Sequence, residues 1–272
     1  MAHRLFEGKE HAASYWKYRI SPSDHLMQQV LDFLEKRKGR PFELALDVGC
    51  GSGQGTLRLA KHFASVVGTD VSPAQLEVAS QFAKEPNITY RRCVAEELPF
   101  ADSSVDLVTA MSAFHWFDRP RFLREAHRVL KPRGCLALLN YTIDMELSYP
   151  DCCSHTLNQI CKEAIQELLP YMSERVFLCE GKLEELYSAI PFPDKERIDC
   201  FQEKLLISVR NLVGFMESWS MFQIYKKKDP KRAEDLLANT QKRFLEQMNV
   251  SSPDTEIVRE MEYYCVLASK PK

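Results

Sequence analysis

Short apolar, β-branched runs recur through the first half of the chain and alternate with amphipathic stretches. ALDVG (45–49), SVVGTD (65–70), ITYRRCV (88–94), VDLVTAM (105–111) and GCLALLNY (134–141) read as strands. Between them GTLRLAKHFA (55–64), SPAQLEVASQFAKE (72–85) and RPRFLREAHRVLKP (119–132) carry helical spacing. Strands alternating with helices predict a parallel sheet covered on both faces, a doubly wound α/β core. Ser72 and Pro73 suit an N-cap followed by proline at the first helical position, and Pro132 with Gly134 suits a helix stop before a strand. After Tyr141 the pattern changes. Residues 151–190 read as helices with long apolar faces, a cap over the sheet, whereas RIDCFQEKLLIS (197–208) and EIVREMEYYCVLASKPK (256–272) read as an antiparallel pair of strands at its edge.

Composition narrows the class. With 272 residues and 45% apolar side chains the chain can bury a sizeable core. The 36 basic and 38 acidic residues leave a formal charge of −2, so no positive field favours a nucleic-acid partner. No apolar segment suits a secretory signal or a membrane span, which predicts a soluble cytoplasmic protein. The nine cysteines are scattered without paired zinc spacing. Reduced thiols and no structural metal are expected.

The chemistry concentrates in LALDVGCGSGQGTLRLA (44–60), where Gly49, Gly51 and Gly53 lie between a strand and a helix. An open α/β sheet binds its ligand there, at the carboxyl ends of its strands near the switch point. The dinucleotide fingerprint G-x-G-x-x-G fits neither register: a start at Gly49 meets Gln54 and a start at Gly51 meets Thr56. Asp70 closes the second strand about twenty residues on, where a carboxylate can accept from both ribose hydroxyls. The expected ligand is a nucleoside without a diphosphate.

LDVGCGSGQGT, Asp70, AEELPFADSSVDLV and REAHRVLKPRG together resemble class I S-adenosylmethionine-dependent methyltransferases of the small-molecule, type 11 group, over about residues 41–141. The resemblance implies a Rossmann-like, doubly wound, seven-stranded and mostly parallel sheet with an antiparallel edge strand and a helical cap. It implies one domain, divided into an N-terminal helical lid (1–40), a cofactor-binding core (41–141), a cap insertion (142–195) and the final strands with a capping helix (196–272). By the same resemblance S-adenosylmethionine is the cofactor. Asp47 and Gly49 then sit at its amino-acid end, Gly51 and Gly53 under its sugar, Asp70 on the ribose, Val71 on the adenine, and Ala95 and Glu96 at the adenine edge. Val94 stands where many members carry an aspartate for the adenine amino group, so recognition would rest on the main chain at Ala95.

SAFHWFD (112–118) is similar to the segment after the fourth strand of trans-aconitate methyltransferases and their juvenile-hormone-acid relatives. AASYWKYRISP resembles their Y-x-x-Y-R-P element, with Ile20 in place of the proline, and LVGFMESWSMFQ (212–223) their capping helix. Both groups methylate carboxylates of small acids. The resemblance therefore implies a small carboxylic-acid acceptor, with Ser112, His115 and Tyr15 at the cofactor and Tyr15, Arg19, His115 and Trp219 at the reacting centre. The same residues admit plainer readings: a packed histidine at His115, a surface charge at Arg19, a core stripe through Trp219. Other acceptors (phenol, thiol or amine) and a catalytically silent cofactor-binding protein stay open. A carboxylate is ionised at neutral pH and needs no base, whereas a phenol or amine would call on His115. Displacement from a sulfonium asks mainly for alignment.

Overall fold

The computed structural model describes residues 6–19, 21–177 and 184–272. Ile20 and residues 178–183 of the expected cap lie outside them. In chain order the elements begin with helices α1 (Lys9–Tyr18) and α2 (Asp24–Lys38), strand β1 (Leu44–Val48), α3 (Gln54–Leu59), β2 (Ser65–Asp70), α4 (Pro73–Phe82), β3 (Ile88–Arg92) and β4 (Val105–Met111). They continue with α5 (Arg119–Val129), β5 (Leu130–Ser148), α6 (Ser154–Leu168), α7 (Glu174–Phe177), α8 (Glu184–Ala189) and β6 (Asp194–Ser208). Helices α9 (Val209–Glu217), α10 (Ser220–Lys228) and α11 (Pro230–Met248) precede the last strand, β7 (Glu256–Ser269).

Local chemistry sets the helix starts. The Ser72 hydroxyl accepts from Gln75 N at the head of α4, with Pro73 in the first turn, and Asp118 caps α5 through Arg121 N. Each cap satisfies a backbone donor that has no partner inside its helix.

The strands form one seven-stranded sheet in the order β3-β2-β1-β4-β5-β7-β6. Pairings from β3 through β5 are parallel, and β7 pairs antiparallel with both β5 and β6. The antiparallel strand therefore lies one place in from the edge, with β6 outside it. Alternation along the central strands feeds two cores: Ala45, Leu107 and Ala137 pack with Leu31 and Leu34 of α2, while Leu46, Val108 and Leu138 pack with Phe122 and Ala126 of α5. The chain order reverses between β1 and β4, so their carboxyl ends open the crevice that positions the site.

Three expectations change in detail. Helix α5 ends at Val129, not at Pro132, and Lys131–Gly134 loop out where the register jumps from Val105↔Leu130 to Leu107↔Cys135. Proline lacks the N–H a ladder needs, and Gly134 admits no Cβ beside the Lys131 and Asp106 carbonyls. Strand β5 continues to Ser148 through a bulge between Tyr141 and Met145. The single capping helix over 212–223 is two helices, broken at Ser218 and Trp219. Among the described residues no helix is long and apolar enough to cross a membrane.

Candidate active site

Gly49, Gly51 and Gly53 all take positive φ, at 68°, 54° and 92°. Only glycine enters that region without strain, and a Cβ on Gly49 would stand 2.6 Å from that of Ala113. The turn thus lays bare backbone along the carboxyl end of β1, a cradle that fits a nucleoside-bearing ligand. Two carboxylates fix it. Asp47 is 1% exposed and accepts from Thr56 Oγ1 at 2.7 Å and Thr109 Oγ1 at 2.8 Å, joining β1, α3 and β4. Burial pushes its pKa up to about 6, although the two hydroxyls favour the ionised form. Asp70 accepts from Gly51 N and Ser72 N, both at 2.9 Å, which locks the glycine turn to the end of β2.

Helix α1 lies across this turn. Gln54 Nε2 donates to the carbonyls of Tyr15 and Trp16, and the Ser72 hydroxyl donates to the Phe6 carbonyl. Tyr15 Cε1 lies 3.5 Å from where a Gly51 Cβ would stand. The Arg19 guanidinium sits 4.7, 5.5 and 5.7 Å from the ring centres of Tyr15, Tyr141 and Phe215, a cation held among aromatic faces. Its Nη1 reaches Ser218 Oγ at 3.5 Å, and no ion pair found among the described residues includes it.

Two cavities meet at this arginine. The larger, about 680 Å³, runs from Tyr15, Ser112, His115 and Trp116 to Trp219 and the outer parts of β5 and β7. The smaller, about 50 Å³, is lined by Asp47, Gly49 and Tyr263, and shares Tyr15, Arg19, Ser112, Asn140 and Tyr141 with the larger. Ser112 takes a left-handed conformation (φ 52°) and donates from Oγ to Asn140 Oδ1 at 3.0 Å. Trp219 stands at the break between α9 and α10, packed edge-on to Phe215 and 5% exposed. Burial, together with the cationic Arg19, Arg119 and Arg175, lowers the His115 pKa to about 3. The imidazole is therefore neutral across the physiological range. It is also a weak base.

The remaining expected contacts lie farther out. Val71 follows β2, with its carbonyl taken by Arg92 Nε at 3.2 Å, and Ala95 is buried. The Glu96 carboxylate accepts from Asp118 N at 2.6 Å, fixing the loop before α5. None of these three lines either cavity. Neither do Asp70, Gly51 and Gly53; Gly51 lies against Tyr15 of α1, and Gly53 against Tyr90 and Ala79. Asn140 and Tyr141, on both cavities, were missed from the sequence. Their only signal was a polar residue at the end of an apolar strand.

Residues 46–138 match the family described as Methyltransferase domain. A Dictyostelium discoideum protein named as a methyltransferase is 28% identical over 258 residues, covering 94% of this chain and 92% of its own length. A solved structure from Anaeromyxobacter dehalogenans, named as a type II methyltransferase, superposes with a TM-score of 0.71 at 24% identity, covering 90% of this chain and 96% of that one. Phosphoethanolamine N-methyltransferase 2 of Haemonchus contortus, in complex with S-adenosyl-L-methionine, shares the fold at a TM-score of 0.51 and 22% identity, over 99% of this chain and 59% of that one. With the glycine cradle and the sheet order, these likenesses identify residues 46–138 as a methyltransferase domain, in a chain with the fold of the class I S-adenosylmethionine-dependent enzymes.

Proposed function

We propose that the enzyme methylates the carboxylate of a small organic acid. The observation that carries this reading is Arg19: a guanidinium on the wall common to both cavities, with no carboxylate partner found among the described residues. Its planar fork matches a carboxylate, and its aromatic seat limits its freedom to swing away. The neutral His115 supports the same reading. A base with a pKa of about 3 draws no proton from a phenol at neutral pH, whereas a carboxylic acid with a pKa near 4 is already ionised.

Bound S-adenosylmethionine supplies a methyl group on a sulfonium, whose thioether is its own leaving group. The chain's residues have to align the acceptor and keep water out. Arg19 orients the carboxylate, Tyr15 closes over the glycine turn, and Trp219 walls the far side. Asp70 and the glycine backbone would hold the nucleoside, with Val71, Ala95 and Glu96 beyond them. Opposite charges on donor and acceptor cancel as the bond forms. A cavity poor in water then has no new charge to stabilise.

A second reading, an amine acceptor, has one observation in its favour. Asp144, Glu146, Glu260 and Glu262 line the outer part of the larger cavity, where they would attract a cationic group. The two readings separate in one experiment. The enzyme is incubated with methyl-labelled S-adenosylmethionine and panels of small carboxylic acids and small amines, and the products are treated with mild alkali. Label released as methanol from the acid panel supports the carboxylate reading. Alkali-stable label confined to the amine panel overturns it.

A further inference from the structure

Gln75, in the first turn of α4, is 1% exposed, yet its side-chain Oε1 has no hydrogen-bond partner. A buried carboxamide oxygen without a donor is unfavourable, and a methionine would fill the same space of a helix face without that cost. The oxygen lies where a donor belongs. It stands 3.9 Å from the position of a Gly51 Cβ, on the stretch of glycine turn that Tyr15 covers from 3.5 Å. Gly51 is also the residue whose N–H anchors Asp70, and both Asp70 oxygens already accept a backbone N–H. Asp70 and Gln75 thus bring acceptors to one point of the cradle, from the end of β2 and from α4.

We infer that Gln75 is a cofactor-recognition residue whose Oε1 accepts a hydrogen bond from a ribose hydroxyl of S-adenosylmethionine held at Gly51 and Asp70. The inference is independent of the acceptor, since it concerns the donor common to both readings above. It rests on Asp70 and the glycine turn facing the ribose. The backbone of Gln75 is itself fixed, its N–H donating to the Ser72 hydroxyl at 3.2 Å, so the side chain starts from a rigid helix end. Among the described residues a competing partner is Ser14 Oγ of α1, which is buried and equally unpartnered. Helices α1 and α4 are neighbours, clipped by the stacked rings of Trp16 and Phe82 at 4.4 Å. A Ser14–Gln75 contact would make Gln75 a latch for α1 rather than a ligand group.

Calorimetric titration separates these roles, with S-adenosylhomocysteine and its 2′-deoxy and 3′-deoxy analogues as probes. The intact enzyme should bind one deoxy analogue about tenfold more weakly than S-adenosylhomocysteine, because a site built around a hydroxyl is left with an unpaired acceptor. Gln75→Met should bind S-adenosylhomocysteine about tenfold more weakly and should no longer distinguish that analogue. Gln75→Asn, which withdraws the oxygen by one methylene, should show the same loss of discrimination if the methionine variant does not fold. Ser14→Ala should leave all three affinities unchanged. Equal binding of all three probes by the intact enzyme overturns the inference without any variant. So does undiminished discrimination in Gln75→Met, or a Ser14→Ala variant that reproduces its loss.

Discussion

At the carboxyl ends of β1 and β2 the carboxylates are tied into the fold, whereas along the outer parts of β5 and β7 they face a cavity. Asp47 takes two threonine hydroxyls and Asp70 two backbone amides. By contrast Glu146 stands directly opposite Glu260 in the β5–β7 register, and both line the larger cavity. Like charges across a strand pair are unfavourable, and among the described residues Glu260 pairs with the exposed Lys204 at 3.0 Å. The first region ties both of its carboxylates to donors of the fold before any ligand arrives. The second leaves charge and a bulge at the cavity wall, where the proposed acceptor would be chosen.

The most severe break of the rigid half is Gly49→Ala. The left-handed backbone and the 2.6 Å approach to Ala113 together should cost about 3 kcal/mol or more in denaturant unfolding. Gly39→Ala, at φ 78° and ψ 164° with nothing within 4 Å, should cost only the backbone strain, about 2 kcal/mol. If the two variants lose the same stability, close packing at the glycine turn is not what fixes it.

Asp47 gives the rigid half a pH signature. Its folded pKa of about 6 lies above the ordinary aspartate value, so the native state holds a proton that the unfolded chain has released. The resulting contribution is complete below pH 4 and is lost as pH rises through about 6, a fall of about 3 kcal/mol. Unfolding free energies measured across that window should decline less steeply in Asp47→Asn. A variant parallel to the parent would mean that Asp47 is ionised throughout.

Effects at the cavity are smaller in stability and larger in selectivity. Arg19→Lys keeps the charge and loses the fork, which should raise the acceptor KM about tenfold while the affinity for S-adenosylhomocysteine is unchanged. A drop in S-adenosylhomocysteine affinity would instead assign Arg19 to the carboxylate of the cofactor. The smallest effect belongs to His115→Asn. Because the imidazole is already neutral, kcat should change by no more than about threefold and its pH profile should keep its shape. A lost limb in that profile would restore His115 as a base.

Legibility along the chain follows the same division. The strands of the first half were readable because each is a short apolar run bounded by turn residues, and the glycine turn because positive φ leaves glycine little competition. Asp70 was readable from its distance past the turn. His115 lines the larger cavity, and its weak basicity was not readable, since it depends on burial and on Arg19, Arg119 and Arg175 converging on it. The break at Ser218 was invisible because LVGFMESWSMFQ keeps helical spacing through it. Nothing in SPAQLEVASQFAKE singles out Gln75, and only its burial in the fold gives it meaning.

By itself the sequence determined what depends on neighbouring residues and on period: the parallel α/β core, the helix caps, the glycine cradle and the nucleoside character of its ligand. Tertiary structure decided what depends on residues far apart in the chain. It inserted β7 between β5 and β6, set Arg19, at the end of α1, against Tyr141 and Phe215, and placed Arg19 and Tyr141 on a cavity lined by α6, α7 and the α9–α10 break. The physical reason is one of range. Backbone conformation answers to the nearest few side chains, while burial, potential and cavity shape are sums over the whole packed molecule.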